Sequence, residues 1–183
     1  ESLLEDAREA DRGRILLIRG EAGMGKTRLL SEIVGMSEAK GFRHHRGLIV
    51  DYGSGDARSA IRMIVRSLLA TPNSTAEDWG RVIQQSIQTG LVATEREPFL
   101  TDMVGIAQTT QWAAIYDAMA HETRERGKQE TLTELVTTAT QQAPQLIIAE
   151  DIHWADRTTM KRLEWIAAAA ADLPIVLVMT ART

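Results

Sequence analysis

The sequence predicts an α/β domain built around a parallel sheet. Four short apolar runs have the continuous hydrophobic character of strands that helices cover on both faces. Amphipathic helical patterns separate these runs, and such alternation of strand and helix is typical of α/β proteins. The 183 residues are enough for one domain with a sizeable core. The four runs are ILLI (Ile15–Ile18), GLIV (Gly47–Val50), QLIIA (Gln145–Ala149) and PIVLVMT (Pro174–Thr180).

The segments between the runs carry apolar stripes at helical spacing. Gly41 is predicted to end the first helix. Ser74 and Glu77 have the spacing of a capping box, and Asp156 is predicted to cap the last helix. The main stripes are Leu29, Leu30, Ile33 and Val34; Ile61, Ile64, Val65, Leu68 and Leu69; Trp79, Val82, Ile83 and Ile87; Trp112, Ile115, Tyr116 and Met119; Leu132, Leu135, Val136 and Ala139; and Met160, Leu163, Ile166, Ala167 and Ala170.

The stretch from about residue 53 to residue 143 contains several helical patterns and no convincing strand. We predict a helical insertion between the second and third strands of a single domain that spans residues 1–183. The chain begins without Met and ends just after a strand-like run. We therefore expect a fragment of a larger multidomain protein, with lid and output domains outside it.

The composition narrows the class of protein. The net charge of −4 gives no reason to expect a surface that binds nucleic acid directly. No apolar run approaches the roughly 20 residues of a membrane span, so no membrane contact is expected. The cysteine count of 0 excludes disulfides and thiolate metal sites and fits a reducing cytosol, so we expect a cytoplasmic protein.

Residues 20–27, GEAGMGKT, match the phosphate-loop pattern G-x-x-x-x-G-K-S/T, with a strand before the pattern and a helix after it. Glycines let the chain curl so that successive N–H groups form an anion nest, and the following helix adds a positive potential. Lys26 is predicted to reach the β- and γ-phosphates, and the Thr27 hydroxyl is a hard oxygen ligand suited to Mg²⁺. The alternative, a glycine-rich turn that merely ends a strand, fits this context less well. The predicted ATP-binding residues are Gly20, Glu21, Ala22, Gly23, Met24, Gly25, Lys26, Thr27 and Arg28.

Two carboxylates, Glu150 and Asp151, follow the third apolar run. Ligands of open α/β sheets bind beyond the carboxyl ends of the strands. One carboxylate could hold Mg²⁺ through water while the other orients an attacking water. Alone, the pair would be better explained as a solvated turn; together with the phosphate loop, it indicates a nucleotide site in which Thr27, Glu150 and Asp151 serve the metal.

GEAGMGKTRLL followed by IIAEDIHWAD resembles the ATPase module of the signal-transduction ATPases with numerous domains, which belong to the AAA-like P-loop NTPases. The HWAD tail is typical of bacterial regulators in that group. The stretches LIVDYGSGDARSAIRMIVRSLL (Leu48–Leu69) and TRERGKQETLTELV (Thr123–Val136) resemble most closely the branch linked to nucleotidyl cyclase domains. The resemblance implies a three-layer sandwich with the sheet order second, third, fourth and first strand.

The resemblance also implies roles for single residues. Arg182 stands where the family carries a polar residue that senses the γ-phosphate. The wider class ends the acidic strand with Asp then Glu, whereas this chain has Glu150 then Asp151. By position Glu150 would face the metal and Asp151 would poise the water, but the exchanged roles remain open.

The function implied is a module of a bacterial signalling or transcription regulator that binds ATP and Mg²⁺ and hydrolyses ATP slowly. Its partners would be ATP or ADP, the attached output domains and, in a nucleotide-dependent way, further copies of itself. Two alternatives remain open: a nucleotide-binding switch with negligible hydrolysis, and a phosphotransferase that acts on a small molecule.

Other polar residues receive simpler interpretations. Trp154 is expected to pack against the core. His44 and His45 are neighbours on a predicted strand, so their side chains should point to opposite faces, which argues against a metal site. Ser54 in YGSG lacks the spacing of a hydrolase nucleophile. A basic cluster is expected to form a solvated helix face: Arg124, Arg126 and Lys128.

Overall fold

The computed structural model describes residues 2–10, 12–50, 58–69 and 78–183, with the backbone alone for residues 58 and 59. Within these ranges it contains four strands and eight α-helices. The strands are β1 (Arg14–Arg19), β2 (Arg43–Leu48), β3 (Gln145–Glu150) and β4 (Ile175–Ala181). The helices are α1 (Ser2–Glu9), α2 (Lys26–Ala39), α3 (Arg58–Leu69), α4 (Trp79–Gln88), α5 (Glu97–Val104), α6 (Thr110–Ala118), α7 (His121–Thr140) and α8 (Arg157–Ala170).

The four strands form one parallel sheet in the order β1-β4-β3-β2. This confirms the predicted order, in which the last strand lies between the phosphate-loop strand and the acidic strand. Each of the last two strands begins directly after a proline, where the missing N–H removes no bond from the ladder. Because all four strands are parallel, their carboxyl ends meet at one edge of the sheet.

Alternate residues of the central strands face two separate cores. On β3, Leu146 and Ile148 join the cluster under α1 and α2, whereas Ile147 and Ala149 join the cluster under α3, α5, α7 and α8. All four side chains are fully buried. The fold is thus the predicted three-layer arrangement, with helices on both sides of the sheet.

Two expectations about the outer strands were wrong. The second strand was predicted at Gly47–Val50 but begins at Arg43. The prediction missed this start because the edge strand has a polar sequence with alternating burial and no apolar run in its first half. The first strand was expected to be covered on both faces, yet Ile15 and Leu17 are 55% and 44% exposed. Helices α1 and α2 cover only the opposite face of that strand.

The described part of the segment between β2 and β3 is helical, from α3 to α7, as predicted. The capping box expected at Ser74 and Glu77 lies outside the described residues; Asp78 caps α4 by accepting a hydrogen bond from the Arg81 amide. None of the helices in the described ranges combines the length and apolar character that crossing a bilayer requires.

Helix α3 lies very close to β2. A Cβ atom on Gly47 would come within 2.4 Å of the Ala60 carbonyl oxygen, so glycine is required at this contact. His45, two residues earlier, is buried on the same strand and bonds Ser67 of α3 and Gln145 of β3, at 2.8 Å each. These contacts fix α3 on β2. As predicted, His44 and His45 do not share an environment, because His44 is exposed.

Candidate functional site

The loop between β1 and α2 has the backbone geometry of an anion nest. Gly23 and Gly25 adopt left-handed conformations, with φ of 81° and 85°, which L side chains rarely adopt. Gly25 is also the N-cap of α2, so the loop leads directly into the positive end of that helix. Gly20 has no such φ; its amide instead donates to the Ala181 carbonyl of β4, which fixes the loop to the neighbouring strand.

Lys26 lies across the curl of the loop. Its Nζ donates hydrogen bonds to the carbonyl oxygens of Gly20, at 2.7 Å, and Glu21, at 2.9 Å. These bonds hold the ammonium group beside the loop amides. An anion that entered the nest would therefore meet a cation already in place.

Glu150, the last residue of β3, is 8% exposed and forms an ion pair with Arg46 of β2. Hydrogen bonding to Glu150 raises the pKa of Arg46 above its ordinary value and outweighs the opposing effect of burial. Parallel pairing of β2 with β3 sets the register that brings the two side chains together. This acid therefore has a cationic partner within the protein.

Asp151 has a different environment. Its backbone is left-handed, with φ 55°, and it is the only non-glycine residue with positive φ in the described part of the chain. Such a conformation costs on the order of 1 kcal/mol and is often found at functional sites. The Asp151 amide donates to the Thr180 hydroxyl of β4 at 2.9 Å. This bond holds Asp151 where its side chain, 33% exposed, lines a cavity.

Arg182 follows β4 and is exposed, and its backbone amide donates to Nδ1 of His153 at 3.4 Å. The same Nδ1 lies 3.9 Å from an Asp151 carboxylate oxygen, too far for a hydrogen bond. Trp154 is 42% exposed, so the expected packing against the core was wrong. It lies on a 3-10 turn, Ile152–Trp154, with its ring against that of His153.

A cavity of about 320 Å³ joins the phosphate loop to the acidic strand end. Among the predicted residues, Gly20, Glu21, Met24 and Arg28 do not line it. Met24 is 74% exposed, and Arg28, with a side chain 87% exposed, pairs with Glu32 at 3.3 Å. The lining residues are Ala22, Gly23, Gly25, Lys26, Thr27, Glu150, Asp151, Thr180 and Arg182.

The oxygen donors that line this cavity suit a hard cation shared with a phosphate chain. Thr27 supplies a hydroxyl and Asp151 a partly exposed carboxylate. Nowhere in the described ranges do three or more His, Asp or Glu side chains group closely enough to bind a metal ion by themselves. Mg²⁺ typically takes one or two protein ligands and completes its octahedron with water and phosphate oxygens, so the donors present fit that role.

Sequence reasoning missed two residues of this site, Arg46 and Thr180. Arg46 pairs with an acid 104 positions later, and only the register of β2 against β3 reveals that contact. Thr180 had a detectable signal, since it is a polar residue near the carboxyl end of an otherwise apolar central strand.

The predicted basic face of α7 is divided. Arg126 is 82% exposed, as expected for a solvated face, but Lys128 is only 11% exposed and pairs with Asp102 and Glu125. Arg124 is half-buried and lies over the Tyr116 ring, 5.5 Å from its centroid. The expectation of a solvated face was therefore wrong for Arg124 and Lys128.

Two comparisons with known proteins found matches that cover most of this chain. A family model described as AAA ATPase domain matches residues 1–178. The chain is also similar to an uncharacterized protein of Rhizobium meliloti (strain 1021), with 25% identity over 173 residues. The aligned region covers 94% of this chain and 16% of the relative, so the chain spans about a sixth of that protein's length.

Proposed function

Because the chain belongs to the AAA ATPase domain family, we propose that it is a regulatory module that binds ATP with Mg²⁺ and hydrolyses it slowly. One observation carries this proposal: the phosphate loop and the acidic strand end line the same cavity. The proposed setting is a bacterial signalling or transcription regulator in the cytoplasm, with output domains that include a nucleotidyl cyclase. Nucleotide-dependent self-association is part of the same proposal.

The proposed roles follow from where each group lies. The amides around Gly23 and Gly25 hold the β-phosphate, while Lys26 turns from its loop carbonyls toward the β- and γ-phosphate oxygens. Arg182, which lines the same cavity, contacts the γ-phosphate. Asp151, fixed by Thr180, accepts a hydrogen bond from the attacking water and so orients it.

Thr27 and the acids would hold magnesium, which when bound offsets the negative charge of the phosphate oxygens. The Thr27 hydroxyl is the direct protein ligand in this proposal. Glu150 would help to hold that ion, through a water, only if its ion pair with Arg46 loosened. That competition supports Asp151 for the water-orienting role in this proposal and offers a physical reason for slow turnover.

Nucleotide binding is tested by calorimetry on the Lys26→Ala variant. The loss of charge-assisted hydrogen bonds worth about 1.5–3 kcal/mol each should weaken ATP binding about a hundredfold. Lys40→Ala is the matched control, because it removes the same group at the opposite end of α2, where Lys40 pairs with Glu5. Equal ATP affinity in the parent and Lys26→Ala would refute the proposed site.

Hydrolysis is tested by phosphate release. Asp151→Asn should lower turnover at saturating ATP and Mg²⁺ about a hundredfold, since general-base assistance contributes about 10²–10⁴. Glu150→Gln should have a smaller effect because its carboxylate is engaged by Arg46. Asp172→Asn, an exposed acid after α8, is the control. If both acidic variants matched the parent, neither acid would take part in hydrolysis.

A second candidate function is a switch that holds ATP or ADP without turnover. The ion pair between Arg46 and Glu150 favours it, because that pair withdraws one acid from the reaction. Tight ATP binding without phosphate release in the parent chain would support this candidate and exclude the first. Phosphate release that Asp151→Asn removes would do the reverse.

A further inference from the structure

A second cavity, of about 500 Å³, lies among the helices of the insertion and α8. Residues of α3, α5, α7 and α8 line it, and it shares no lining residue with the phosphate-loop cavity. Its volume falls in the range of sites for small molecules. The proposed nucleotide chemistry makes no use of it.

The lining of this second cavity is strongly basic although the chain as a whole carries a net charge of −4. Four of its cations have no ion pair with any residue in the described ranges. Lys161 lies 5.5 Å from the centroid of the Trp165 ring, a contact that leaves its charge uncompensated. The four are Arg62, Arg157, Lys161 and Arg162.

Two of these guanidinium groups have a buried Nε atom without a hydrogen-bond partner. Arg162 is only 7% exposed, and its Nε has no hydrogen-bond partner. Nε of Arg62 is likewise buried and unpartnered, and this guanidinium is packed against Gly105, where even a Cβ atom would come within 2.5 Å of it. Arginine remains charged in proteins, and a buried charge without a partner is costly. The two groups therefore lie ready to bind an anion.

The two acids of the lining do not supply that anion. Asp102 lies 2.7 Å and Glu125 3.2 Å from Nζ of Lys128, so both are engaged by a fifth cation. Although burial opposes the charged form of Lys128, its bonds to Asp102 raise its pKa above the ordinary value. The local trio of Lys128, Asp102 and Glu125 carries a net charge of −1, so with the other four cations the lining keeps a net charge of +3.

The N-terminus of α7 adds to the positive potential, whereas that of α8 is capped by the Asp156 carboxylate. The first residues of α7 and α8, His121 and Arg157, both line the cavity. The N-cap of α7 is Ala120, which has no side chain that could accept from the first-turn amides. Helix N-termini favour anions, and phosphate above all.

We propose that this second cavity binds a small phosphorylated molecule and is a ligand site separate from the nucleotide site. A net charge of +3 in the lining matches a group with two or more negative charges better than a single carboxylate. Arg62 and Arg162 would bind phosphate oxygens through their guanidinium N–H groups, as arginine does at many phosphate sites. Helix α8, which contributes to this cavity, begins six residues after Asp151. A short stretch of chain therefore joins the proposed ligand site to the acidic strand end.

The test uses pyrophosphate and inorganic phosphate as probes, without magnesium, in a Lys26→Ala chain whose phosphate loop is weakened. Calorimetry and thermal unfolding should show saturable binding and a raised midpoint, with pyrophosphate the tighter probe. Arg162→Met in this background should weaken binding at least tenfold. Arg81→Met, which removes an exposed arginine of α4, should leave binding unchanged.

The midpoint without a probe distinguishes a binding role of Arg162 from a structural one. Methionine has a similar length and no charge, so Arg162→Met should leave the midpoint unchanged or raise it, because an unpaired buried charge is removed. A lower midpoint would mean that Arg162 stabilises the fold, and would overturn the proposal. Undiminished probe binding in both Arg162→Met and Arg62→Met, or no saturable binding in Lys26→Ala, would overturn it as well.

Discussion

The ion pair between Arg46 and Glu150 gives a quantitative prediction about stability. Replacing Arg46 with Met leaves a carboxylate that is only 8% exposed without its partner. Breaking a fully buried pair costs about 3–5 kcal/mol, and exposed pairs contribute about 0.2–1 kcal/mol. Since the Arg46 side chain is 43% exposed, water screens the pair, and we expect a loss of about 1–2 kcal/mol.

The two single substitutions should differ in cost. Glu150→Gln leaves Arg46 unpaired, but that cation can extend into water, so we expect less destabilisation than in Arg46→Met. The assay is urea unfolding of the parent, the two single variants and the double variant, which together give the coupling free energy. For a chain of this size, Arg46→Met should lower the thermal midpoint by roughly 3–6 °C.

A matched control is the same cycle on Arg28 and Glu32, an exposed pair whose side chains are 87% and 59% accessible. That coupling should be no more than about 0.5 kcal/mol and should vanish at high salt. A coupling below about 0.3 kcal/mol between Arg46 and Glu150, or an equal cost for both single substitutions, would refute the reasoning from burial.

The remaining predictions concern stability at three other places. Burial lowers the pKa of His45 to about 4, so the unfolded chain binds its proton more readily and stability falls as the pH drops below about 6.5. Between pH 7 and pH 4.5 this loss should be about 2–3 kcal/mol in urea unfolding, and His45→Gln should lack it; equal pH profiles would contradict the assignment. Gly47→Ala should cost about 1–3 kcal/mol, seen as a lower thermal midpoint, because its Cβ would overlap the Ala60 carbonyl. Asp156→Ala should cost about 1 kcal/mol, since the Asp156 carboxylate accepts from the Thr159 amide at 2.7 Å, whereas Asp156→Asn should retain most of that stability.

The parts of the structure that depend on local chemistry could be predicted from the sequence. The phosphate loop is one, because glycines at fixed spacing before a lysine have a specific backbone consequence. Asp156 is another, since a cap needs only the residue and the helix that follows it, and the structure confirms this cap. The sheet order, which the family resemblance implied, is also confirmed.

The parts that depend on distant contacts could not be predicted. Arg46 meets Glu150 only through pairing of β2 with β3, and Lys128 is buried because α5 supplies Asp102. The start of β2 at Arg43 could not be predicted because the strand lies at the sheet edge, where exposed and buried positions alternate and most residues are polar. Trp154 was expected in the core, but a short 3-10 turn presents its ring to solvent.

The hydrogen bond between Thr180 and Asp151 has a consequence for how the protein would distinguish ATP from ADP. Thr180 lies near the carboxyl end of β4, two residues before Arg182. Its hydroxyl accepts a hydrogen bond from the amide of Asp151, which directly follows the adjacent strand β3. If Arg182 contacts the γ-phosphate as proposed, a displacement of Arg182 would reach Asp151 through two residues and one hydrogen bond, and no helix would need to move. The contact of Arg182 with the γ-phosphate and the orientation of the attacking water by Asp151 would then be coupled. Thr180→Val, which removes the hydroxyl that accepts from the Asp151 amide, would uncouple them.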